Sequence, residues 1–360
     1  MRLLFTYFLP SGGIETLNRL RCRALAQAGI EAHLLYLRDG AGKQNISGIP
    51  YFITDSDADI GAIIQAGNYD AIIACCDHLM LPRLRALGYT GKLLYEAQGL
   101  GELDQAKDTI EWAAPYIRLY AQGILSPITA HLMELFNLYL PDVHRFYLHN
   151  MVDTQTFNYR ASSWLNPANQ PILAWIGRLE PNKNWSLFLH IAAMVAQHKP
   201  DLTLWMFEDA NITTPGERER FTEMLAALQL QHRVVLRSNV PHSEMPYYMS
   251  AVGDSGGMLV STSNVEGFGY AVAEAMSCCC PVLTTDSDGV RVFINHNQTG
   301  KYFYGRSAEA GMYEALDLMN NRQLAEQIRH NALAHIQTHF SETKYIADMI
   351  NILGTLGLYR

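Results

Sequence analysis

Long apolar runs and an excess of basic side chains are both missing from this 360-residue sequence. No stretch approaches the roughly 18 to 20 apolar residues that a membrane-spanning helix needs. Lysine and arginine number 27 against 35 aspartates and glutamates, which gives a net charge of -8. Surfaces that bind nucleic acid need basic side chains for the phosphates. We therefore expect a soluble protein with no nucleic-acid partner.

Cysteines are few, and their spacing suits no cross-link. The six thiols are Cys22, the pair Cys75-Cys76 and the run Cys278-Cys279-Cys280. Neighbouring cysteines fit neither a disulfide framework nor a CxxC metal site. We expect buried, reduced thiols, and hence a protein of the reducing cytoplasm.

The two common nucleotide-binding fingerprints are also absent. The turn at Gly12-Gly13 after the first predicted strand is not GxGxxG, and Leu37 at the end of the next strand is followed by Arg38 instead of an acidic residue. A dinucleotide site would need that carboxylate for the ribose. GxxxxGK[ST] is missing as well. A nicotinamide enzyme and a P-loop NTPase are therefore disfavoured.

Short β-rich runs alternate with helical patterns along the whole chain, which is typical of parallel sheets covered by helices. The predicted class is α/β, with a first domain over residues 1–153, a polar linker over 154–170 and a second domain over 171–340. The predicted strands are 3–8, 32–37, 69–74, 92–95, 123–126 and 145–149, then 172–176, 203–207, 234–236, 257–260 and 282–284. The predicted helices are 15–28, 79–87, 104–119 and 129–138, then 185–197, 217–228, 243–251 and 270–277.

The strongest local signal is the segment from Glu266 to Met276, directly after a predicted strand. Gly267 and Gly269 flank Phe268 at a helix start, where bare backbone amides favour an anionic or hydroxyl-rich ligand. Glu274 lies two turns into that helix. Two carboxylates beside exposed amides suit a sugar, because carboxylates accept pairs of adjacent hydroxyls. The alternative is an ordinary strand-to-helix turn with surface and capping glutamates.

A second signal lies in the loop after the predicted strand 172–176. Arg178 and Lys183 are five residues apart in a loop shaped by glycine and proline. At the carboxyl end of a strand the two cations could clamp a diphosphate. The alternative is that both are simply solvated, as loop cations usually are. A third, weaker signal is the Gly12-Gly13 turn, which would let a ligand approach the backbone closely.

Together these segments resemble the retaining, nucleotide-sugar-dependent glycosyltransferases of family 4. Glu266 and Glu274 match that family's E-x7-E signature, and Arg178 with Lys183 matches its phosphate-binding loop. The weaker matches are Gly12-Gly13, Asn150-x-Val152-Asp153 with Phe157, Asn239-Val240-Pro241, and Pro281-Val282. The resemblance implies the GT-B architecture, in which two facing Rossmann-like domains enclose a central cleft. It also implies that a C-terminal helix within residues 341–360 crosses back to the first domain.

The resemblance further implies a role for each matching residue. Arg178 and Lys183 would hold the donor diphosphate and stabilise the negative charge that develops on it. Glu274 would bind the ribose hydroxyls. The remaining donor contacts would be Glu266 with the backbone of Gly267, Phe268 and Gly269 for the sugar, Val240 for the base, and Gly12 and Gly13 from the first domain.

Gln98 is the clearest departure from the family pattern. A histidine that contacts the donor sugar usually follows the strand at 92–95, and here the run is Glu96-Ala97-Gln98. A glutamine amide can bond a hydroxyl, but it cannot transfer a proton near neutral pH. Gln98 is therefore a candidate for orienting the sugar.

Two other features of the first domain bear on the acceptor. His78, next to Asp77 at a strand end, is a candidate acceptor-side group, although a lone histidine is more often structural. Arg19, Arg21 and Arg23 on the first helix could touch an anionic membrane or acceptor. Charges on a helix more commonly form a solvated face.

The predicted function is transfer of a hexose from a nucleotide diphosphate to a glycan, lipid-linked or small-molecule acceptor, with retention at the anomeric carbon. We expect no cofactor and no metal, because Arg178 and Lys183 would meet the diphosphate charge, and we find no Asp-x-Asp at a strand end to bind a cation. The location would be cytoplasmic or peripheral to the inner face of the membrane. The rivals are a sugar-phosphate-using synthase of the same fold and a catalytically silent sugar-nucleotide-binding subunit of a polysaccharide assembly. The base, sugar, acceptor, linkage and oligomeric state stay open.

Overall fold

A computed structural model of the chain describes residues 1–101, 103–209 and 214–359. It divides the chain into two compact units. The first unit comprises Met1–Met151 and Phe340–Arg360, of which Arg360 lies outside the described residues, and the second comprises Val152–His339. Each unit contains one parallel sheet with helices between its strands. The predicted α/β class with two Rossmann-like domains is confirmed.

The first unit has a seven-stranded sheet in the order β3-β2-β1-β4-β5-β6-β7. Its strands are β1 Arg2–Tyr7, β2 Glu31–Tyr36, β3 Tyr51–Ile53, β4 Ala71–Cys75, β5 Lys92–Glu96, β6 Gly123–Ser126 and β7 Arg145–Tyr147. Leu3, Leu4 and Phe5 in β1 are all fully buried. A continuous apolar run of this kind is expected in a strand that helices cover on both faces.

In the described part of this unit, six α-helices accompany the sheet. They are α1 Gly12–Gln27, α2 Asp57–Gly67, α3 Met80–Ala86, α4 Leu103–Tyr120, α5 Ala130–Tyr139 and, at the end of the chain, α12 Glu342–Thr355. The Ser341 side chain caps α12 by accepting from the amide of Lys344. Tyr345, Met349 and Ile352 form its buried stripe, and α12 packs against α1.

The second unit has a six-stranded sheet in the order β10-β9-β8-β11-β12-β13. Its strands are β8 Ile172–Ile176, β9 Thr203–Glu208, β10 Val234–Ser238, β11 Met258–Ser261, β12 Val282–Thr285 and β13 Lys301–Phe303. Its helices are α6 Trp185–His198, α7 Glu217–Ala227, α8 Met245–Asp254, α9 Tyr270–Ser277, α10 Ala308–Asn320 and α11 Arg322–His339. The loops that follow β8, β10, β11 and β12 leave the same carboxyl edge of this sheet, where ligands bind in such folds.

The segment predicted as a linker, residues 154–170, lies within the second unit. Its polar side chains and amides contact α8. The hydroxyl of Tyr159 bonds Asp254 at 2.9 Å, the amide of Arg160 donates to Ser250 at 2.9 Å, and the hydroxyl of Ser162 donates to the carbonyl of Tyr247 at 2.6 Å. The segment is therefore fixed on this helix.

All six cysteines are free thiols, and four of them are buried. Cys76 and Cys279 are partly exposed. Burial raises the pKa of Cys22 to about 12, and it raises that of Cys280 similarly. Such thiols stay protonated at neutral pH and behave as small apolar side chains. None of the helices in the described ranges combines the length and apolarity that crossing a membrane demands.

Candidate active site

Two loops at the carboxyl edge of the second sheet carry most of the predicted donor residues. The first follows β8 and contains Arg178 and Lys183, and the second follows β11 and contains Glu266. β8 and β11 are neighbours in the sheet, with Leu173 paired to Met258. The loops therefore leave the sheet side by side, although more than 80 residues separate them in sequence.

Asparagine side chains and backbone groups join the two loops. The amide of Asn264 donates to the carbonyl of Asn182 at 2.8 Å. The Asn182 side chain bonds both the amide and the carbonyl of Val265 at 3.1 Å, and the Asn264 side chain donates to the carbonyl of Pro181 at 3.1 Å. These four bonds fix the spacing between the two loops. Sequence reasoning missed this role of Asn182 and Asn264.

Lys183 and Glu266 meet where the two loops join. Lys183 Nζ lies 2.6 Å from Glu266 Oε1, and the hydroxyl of Ser263 donates to the same oxygen at 2.6 Å. The two charged side chains retain 23% and 15% of their exposure. This pair is accessible, so an anionic ligand can compete with Glu266 for the ammonium group.

Arg178 does not join this pair. Its guanidinium contacts the Glu180 carboxylate at 3.2 Å, and about half of its side chain is exposed. Gly177, which precedes it, has no room for a side chain, since a Cβ there would lie 2.9 Å from the Trp175 ring. The indole of Trp175 donates to Thr262 at 3.2 Å in the loop after β11. Packing under the loop thus fixes its backbone while leaving the arginine side chain at the surface.

The Gly-Phe-Gly segment is held mainly by its backbone and by Phe268. The Phe268 ring is buried and meets Phe293 and Tyr270 edge-on at 4.8 Å, so this side chain belongs to the core. Gly269 precedes α9 with φ +78°, a left-handed conformation that favours glycine. On the other side, the amide of Gly289 donates to the carbonyl of Glu266 at 3.0 Å.

Glu274, the second carboxylate of the signature, contacts a histidine that the sequence analysis did not select. His242 Nε2 lies 3.1 Å from Glu274 Oε1, and the imidazole meets the buried Phe157 ring at 4.7 Å. His242 follows Val240 and Pro241 in the loop after β10. The available signal was its place two residues after Val240, which was already predicted to line the base pocket.

Asp-x-Asp pairs do follow two strands, which the sequence analysis overlooked. Asp55 and Asp57 follow β3, and both contact Arg83. Asp286 and Asp288 come directly after β12. Their carboxylates bind Arg291, which lies 2.8 Å from Asp286 and 2.6 Å from Asp288. Within residues 1–101, 103–209 and 214–359, no group of three or more His, Cys, Asp or Glu side chains is arranged to hold a metal ion.

In the first unit, Gly12 and Gly13 begin α1 directly after the loop that follows β1. Gly12 has φ +63°, and a Cβ added there would meet nothing within 4 Å. The conformation, rather than crowding, is what favours glycine at this turn. Both glycines are exposed.

Gln98 lies two residues beyond β5 and is tightly bonded. Its Nε2 donates to Glu96 at 3.0 Å and to Asn150 at 2.9 Å, and its Oε1 accepts from Asn150 at 2.9 Å. Both amide hydrogens are therefore engaged. In this arrangement Gln98 can offer a sugar only the second lone pair of Oε1.

Behind Gln98 lies a buried ion pair. The guanidinium of Arg21 bonds both oxygens of Glu96 at 2.7 and 2.8 Å, bonds Asn18, and lies 3.8 Å above the Phe5 ring. Arg21 is fully buried and Glu96 almost so. Burial alone would lower the pKa of Arg21, but the Glu96 carboxylate outweighs it and raises that pKa above its ordinary value. Arg21 is therefore charged at every physiological pH.

The prediction that Arg19, Arg21 and Arg23 form an exposed basic surface on α1 is wrong. Arg21 is the buried partner of Glu96, and Arg19 pairs with Glu15 at 3.1 Å with only 11% of its side chain exposed. Arg23 alone is exposed. The sequence could not show this, because the partner of Arg21 lies 75 residues further along the chain.

His78 is packed under aromatic rings instead of standing free. It lies 4.4 Å from the Trp112 ring and 5.3 Å from Tyr116. Burial lowers the pKa of His78, so it is neutral at physiological pH. Asp77 caps α3, accepting from the amides of Leu79 and Met80 at 3.1 Å, and burial raises the pKa of its carboxyl.

The family model for glycosyl transferases group 1 matches residues 160–335, which include both loops and the signature helix α9. These residues belong to the group 1 glycosyl transferases. The family-level resemblance predicted from the sequence is confirmed. The individual roles of the residues stay predictions.

Two curated relatives show how far this likeness extends. A 2-deoxystreptamine N-acetyl-D-glucosaminyltransferase of Streptomyces fradiae is 30% identical over 135 residues, which cover 35% of this chain and 28% of the relative. A D-inositol 3-phosphate glycosyltransferase of Rhodococcus erythropolis is 26% identical over 177 residues, or 48% of this chain and 39% of the relative. The chain thus spans less than half the length of these curated relatives.

Solved structures resemble the whole chain. The HepE protein of Anabaena, solved with UDP-glucose, has a TM-score of 0.82 at 18% identity and covers 99% of this chain and 100% of its own. The sucrose-phosphate synthase of Thermosynechococcus elongatus has a TM-score of 0.77 at 17% identity, with 99% of both chains covered. At these identities the likeness shows the fold, and the predicted GT-B class is confirmed.

Proposed function

We propose that this chain is an enzyme that transfers a hexosyl group from a nucleotide diphosphate to an acceptor, with retention at the anomeric carbon. The observation that carries the proposal is the 2.6 Å contact between Lys183 and Glu266. It joins a phosphate-binding cation and a sugar-binding carboxylate from two separate loops. A nucleotide sugar needs both groups next to each other, because its diphosphate adjoins its sugar.

Donor binding would exchange the partners of these groups. The diphosphate would draw Lys183 away from Glu266, and Arg178, which is half exposed beside Glu180, could swing to the same phosphates. Glu266 would then accept from sugar hydroxyls together with the amides of Gly267 and Gly269. Glu274 would take the ribose. As the glycosidic bond breaks, the two cations would stabilise the charge left on the diphosphate.

We propose UDP as the nucleotide of the donor. The support is that HepE of Anabaena, which shares the fold, was solved with UDP-glucose. Glucose and N-acetylglucosamine are both candidate sugars, since relatives are named for N-acetylglucosaminyl transfer. We expect no cofactor and no metal dependence. The acceptor would be a glycan, a lipid-linked sugar or a small molecule. Contact with a membrane cannot rest on Arg19 and Arg21, which are buried in ion pairs.

A catalytically silent sugar-nucleotide-binding subunit is the second candidate. The observation that favours it is the environment of Gln98, whose amide hydrogens are both bonded to Glu96 and Asn150. Gln98, which would face the reacting sugar carbon, then contributes only a hydrogen-bond acceptor. An enzyme in which the leaving phosphate assists the attack needs orientation but no protein base, so the transferase remains the better supported proposal.

The test begins with thermal shifts of the purified chain in equal concentrations of UDP, GDP and ADP. A ligand that binds the folded state alone raises the melting temperature. Transfer is then measured with UDP-glucose and UDP-N-acetylglucosamine against a panel of glycan and lipid-linked acceptors. The anomeric proton of the product is read by NMR. Nucleotide binding without turnover on any acceptor would support the silent subunit, and an inverted product would contradict the retaining mechanism.

A further inference from the structure

The carboxylate that the proposed function gives to the ribose already has a partner within the second unit. Glu274 Oε1 lies 3.1 Å from His242 Nε2. An ionised carboxylate only accepts hydrogen bonds, so His242 donates. The Glu274 side chain retains 15% of its exposure and that of His242 retains 48%. The contact thus lies at the edge of the site, open to a ligand.

His242 is held in place from behind. The Phe157 ring meets the imidazole edge-on at 4.7 Å, and Phe157 itself is only 1% exposed. The loop that carries His242 is fixed at Asn239, which has φ +53° and whose amide donates to the carbonyl of Glu208 at 2.9 Å. An aromatic anchor and a bonded turn therefore define where the imidazole stands.

The hydrogen bond from His242 leaves enough acceptor capacity for a sugar. A carboxylate has about four lone-pair sites, and His242 uses one of them. A ribose diol needs two. Among the residues in the described ranges, no other side chain donates to Glu274. A glutamate side chain has several rotatable bonds, and fixing them before the ligand arrives lowers the entropy lost on binding.

We propose that His242 is a positioning residue that holds Glu274 for the ribose diol and thereby makes the site select ribonucleotides over 2′-deoxyribonucleotides. This inference rests on the proposed function, because it requires a nucleoside diphosphate beside Glu274. It differs from a purely structural contact in one measurable way. Loss of a structural contact weakens every nucleotide equally, whereas loss of a positioning contact reduces the discrimination between the two sugars.

The experiment is calorimetry of UDP and 2′-deoxy-UDP with the full chain and with H242A and H242F. For the wild type we expect 2′-deoxy-UDP to bind about tenfold more weakly, since one hydrogen bond to a charged group is lost. In H242A we expect UDP affinity to fall about fivefold and the ratio between the two ligands to fall to about threefold or less. H242F keeps an aromatic ring against Phe157 but cannot donate, so it should lose the discrimination as H242A does.

H330A is the matched control. His330 is an exposed histidine on α11 whose Nδ1 contacts the backbone of Glu326, one turn away. We expect it to keep the wild-type ratio, and melting temperatures of all variants confirm folding. A tenfold ratio that persists in H242A or H242F would overturn the positioning role. If the wild type binds UDP and 2′-deoxy-UDP with nearly equal affinity, Glu274 does not bind the ribose diol, and the positioning role is overturned as well. No UDP binding by the wild type would instead refute the proposed UDP donor and remove the basis of the inference.

Discussion

Two ion pairs, one in each unit, differ in what their charges can reach. Arg21 and Glu96 in the first unit have side chains that are 0% and 2% exposed. Lys183 and Glu266 in the second unit form an equally short contact but retain 23% and 15%. The first pair can bond only to the protein around it, while the second lies where a ligand can replace one partner. Exposure, more than the contact itself, separates a structural pair from a candidate site.

The buried pair should give the largest effect on stability. Replacing Arg21 by methionine leaves the Glu96 charge buried without its partner, which should lower the free energy of unfolding by about 3 to 5 kcal/mol. Urea-induced unfolding measures this. R23A, on the exposed side of the same helix, should change the value by less than about 0.5 kcal/mol. The double variant R21M/E96L should recover at least half of the loss, and equal effects of R21M and R23A would contradict the contrast.

The exposed pair should affect catalysis more than stability. K183A should lower kcat/KM for the nucleotide sugar by about two to three orders of magnitude, or about 3 to 4 kcal/mol, because a charge-assisted contact to the diphosphate is lost. Its free energy of unfolding should change by less than about 1 kcal/mol. The control is K199A, because the Lys199 ammonium group contacts Asn320 at the far end of α6. Activity of K183A within threefold of wild type would refute the assignment.

The two carboxylates of the signature should divide the donor between them. E274A should weaken UDP binding by about tenfold or more, since a bond to a charged group is lost, while E266A should leave UDP affinity nearly intact and lower turnover of the UDP-sugar. The reason is that UDP and the UDP-sugar both contain the ribose, whereas only the UDP-sugar contains the hexose. Calorimetry with UDP and steady-state transfer make the comparison. Equal losses of UDP affinity would refute the division.

Replacing Gln98 should lower kcat/KM less than replacing Lys183 does. If Gln98 orients the donor sugar as proposed, Q98A removes one neutral bond to a sugar hydroxyl and should cost about tenfold in kcat/KM with little change in UDP affinity. Q98H should keep measurable activity. Because Asn150 holds the Gln98 amide at 2.9 Å, N150A should reproduce part of the loss. A full loss of activity in Q98A would show that the residue does more than orient the sugar.

Removal of divalent metal should have the smallest effect. Transfer activity after dialysis against EDTA should stay within about twofold of the untreated enzyme, because cations of the chain would meet the diphosphate charge. The Asp286 and Asp288 carboxylates, which could bind Mg²⁺, are engaged by Arg291. Loss of most activity, restored by Mg²⁺ or Mn²⁺, would contradict this. D286N would then test whether the overlooked pair holds the ion.

The fold could be predicted where buried strands and amphipathic helices leave strong patterns. All six strands predicted in the first half are present within a few residues, and α9 has the predicted bounds. The prediction missed β3 and β13, which have only three residues each, and it missed α2, α10 and α11. Three residues are too few to show a two-residue period. The mixed polar pattern of α11 hides a stripe in which Ile328, Ala332 and Ile336 are buried.

The candidate site could be predicted only as far as local motifs reach. Lys183 and Glu266 each stood in a recognisable loop, but their contact depends on the pairing of β8 with β11. His242 carried no motif of its own. Arg21 looked like part of a solvated face, because a sequence shows the charge of a side chain and not the partner that folding brings to it.

The discontinuous make-up of the first unit has a consequence for biosynthesis. Residues 152–339 form the second unit as one continuous segment, so they can fold while translation continues. The first unit instead completes its cover over α1 only when α12 has left the ribosome. Until then the surface of α1 that α12 will cover stays open to water. A nascent chain stalled before residue 340 should therefore bind chaperones through α1, even though residues 152–339 can already fold.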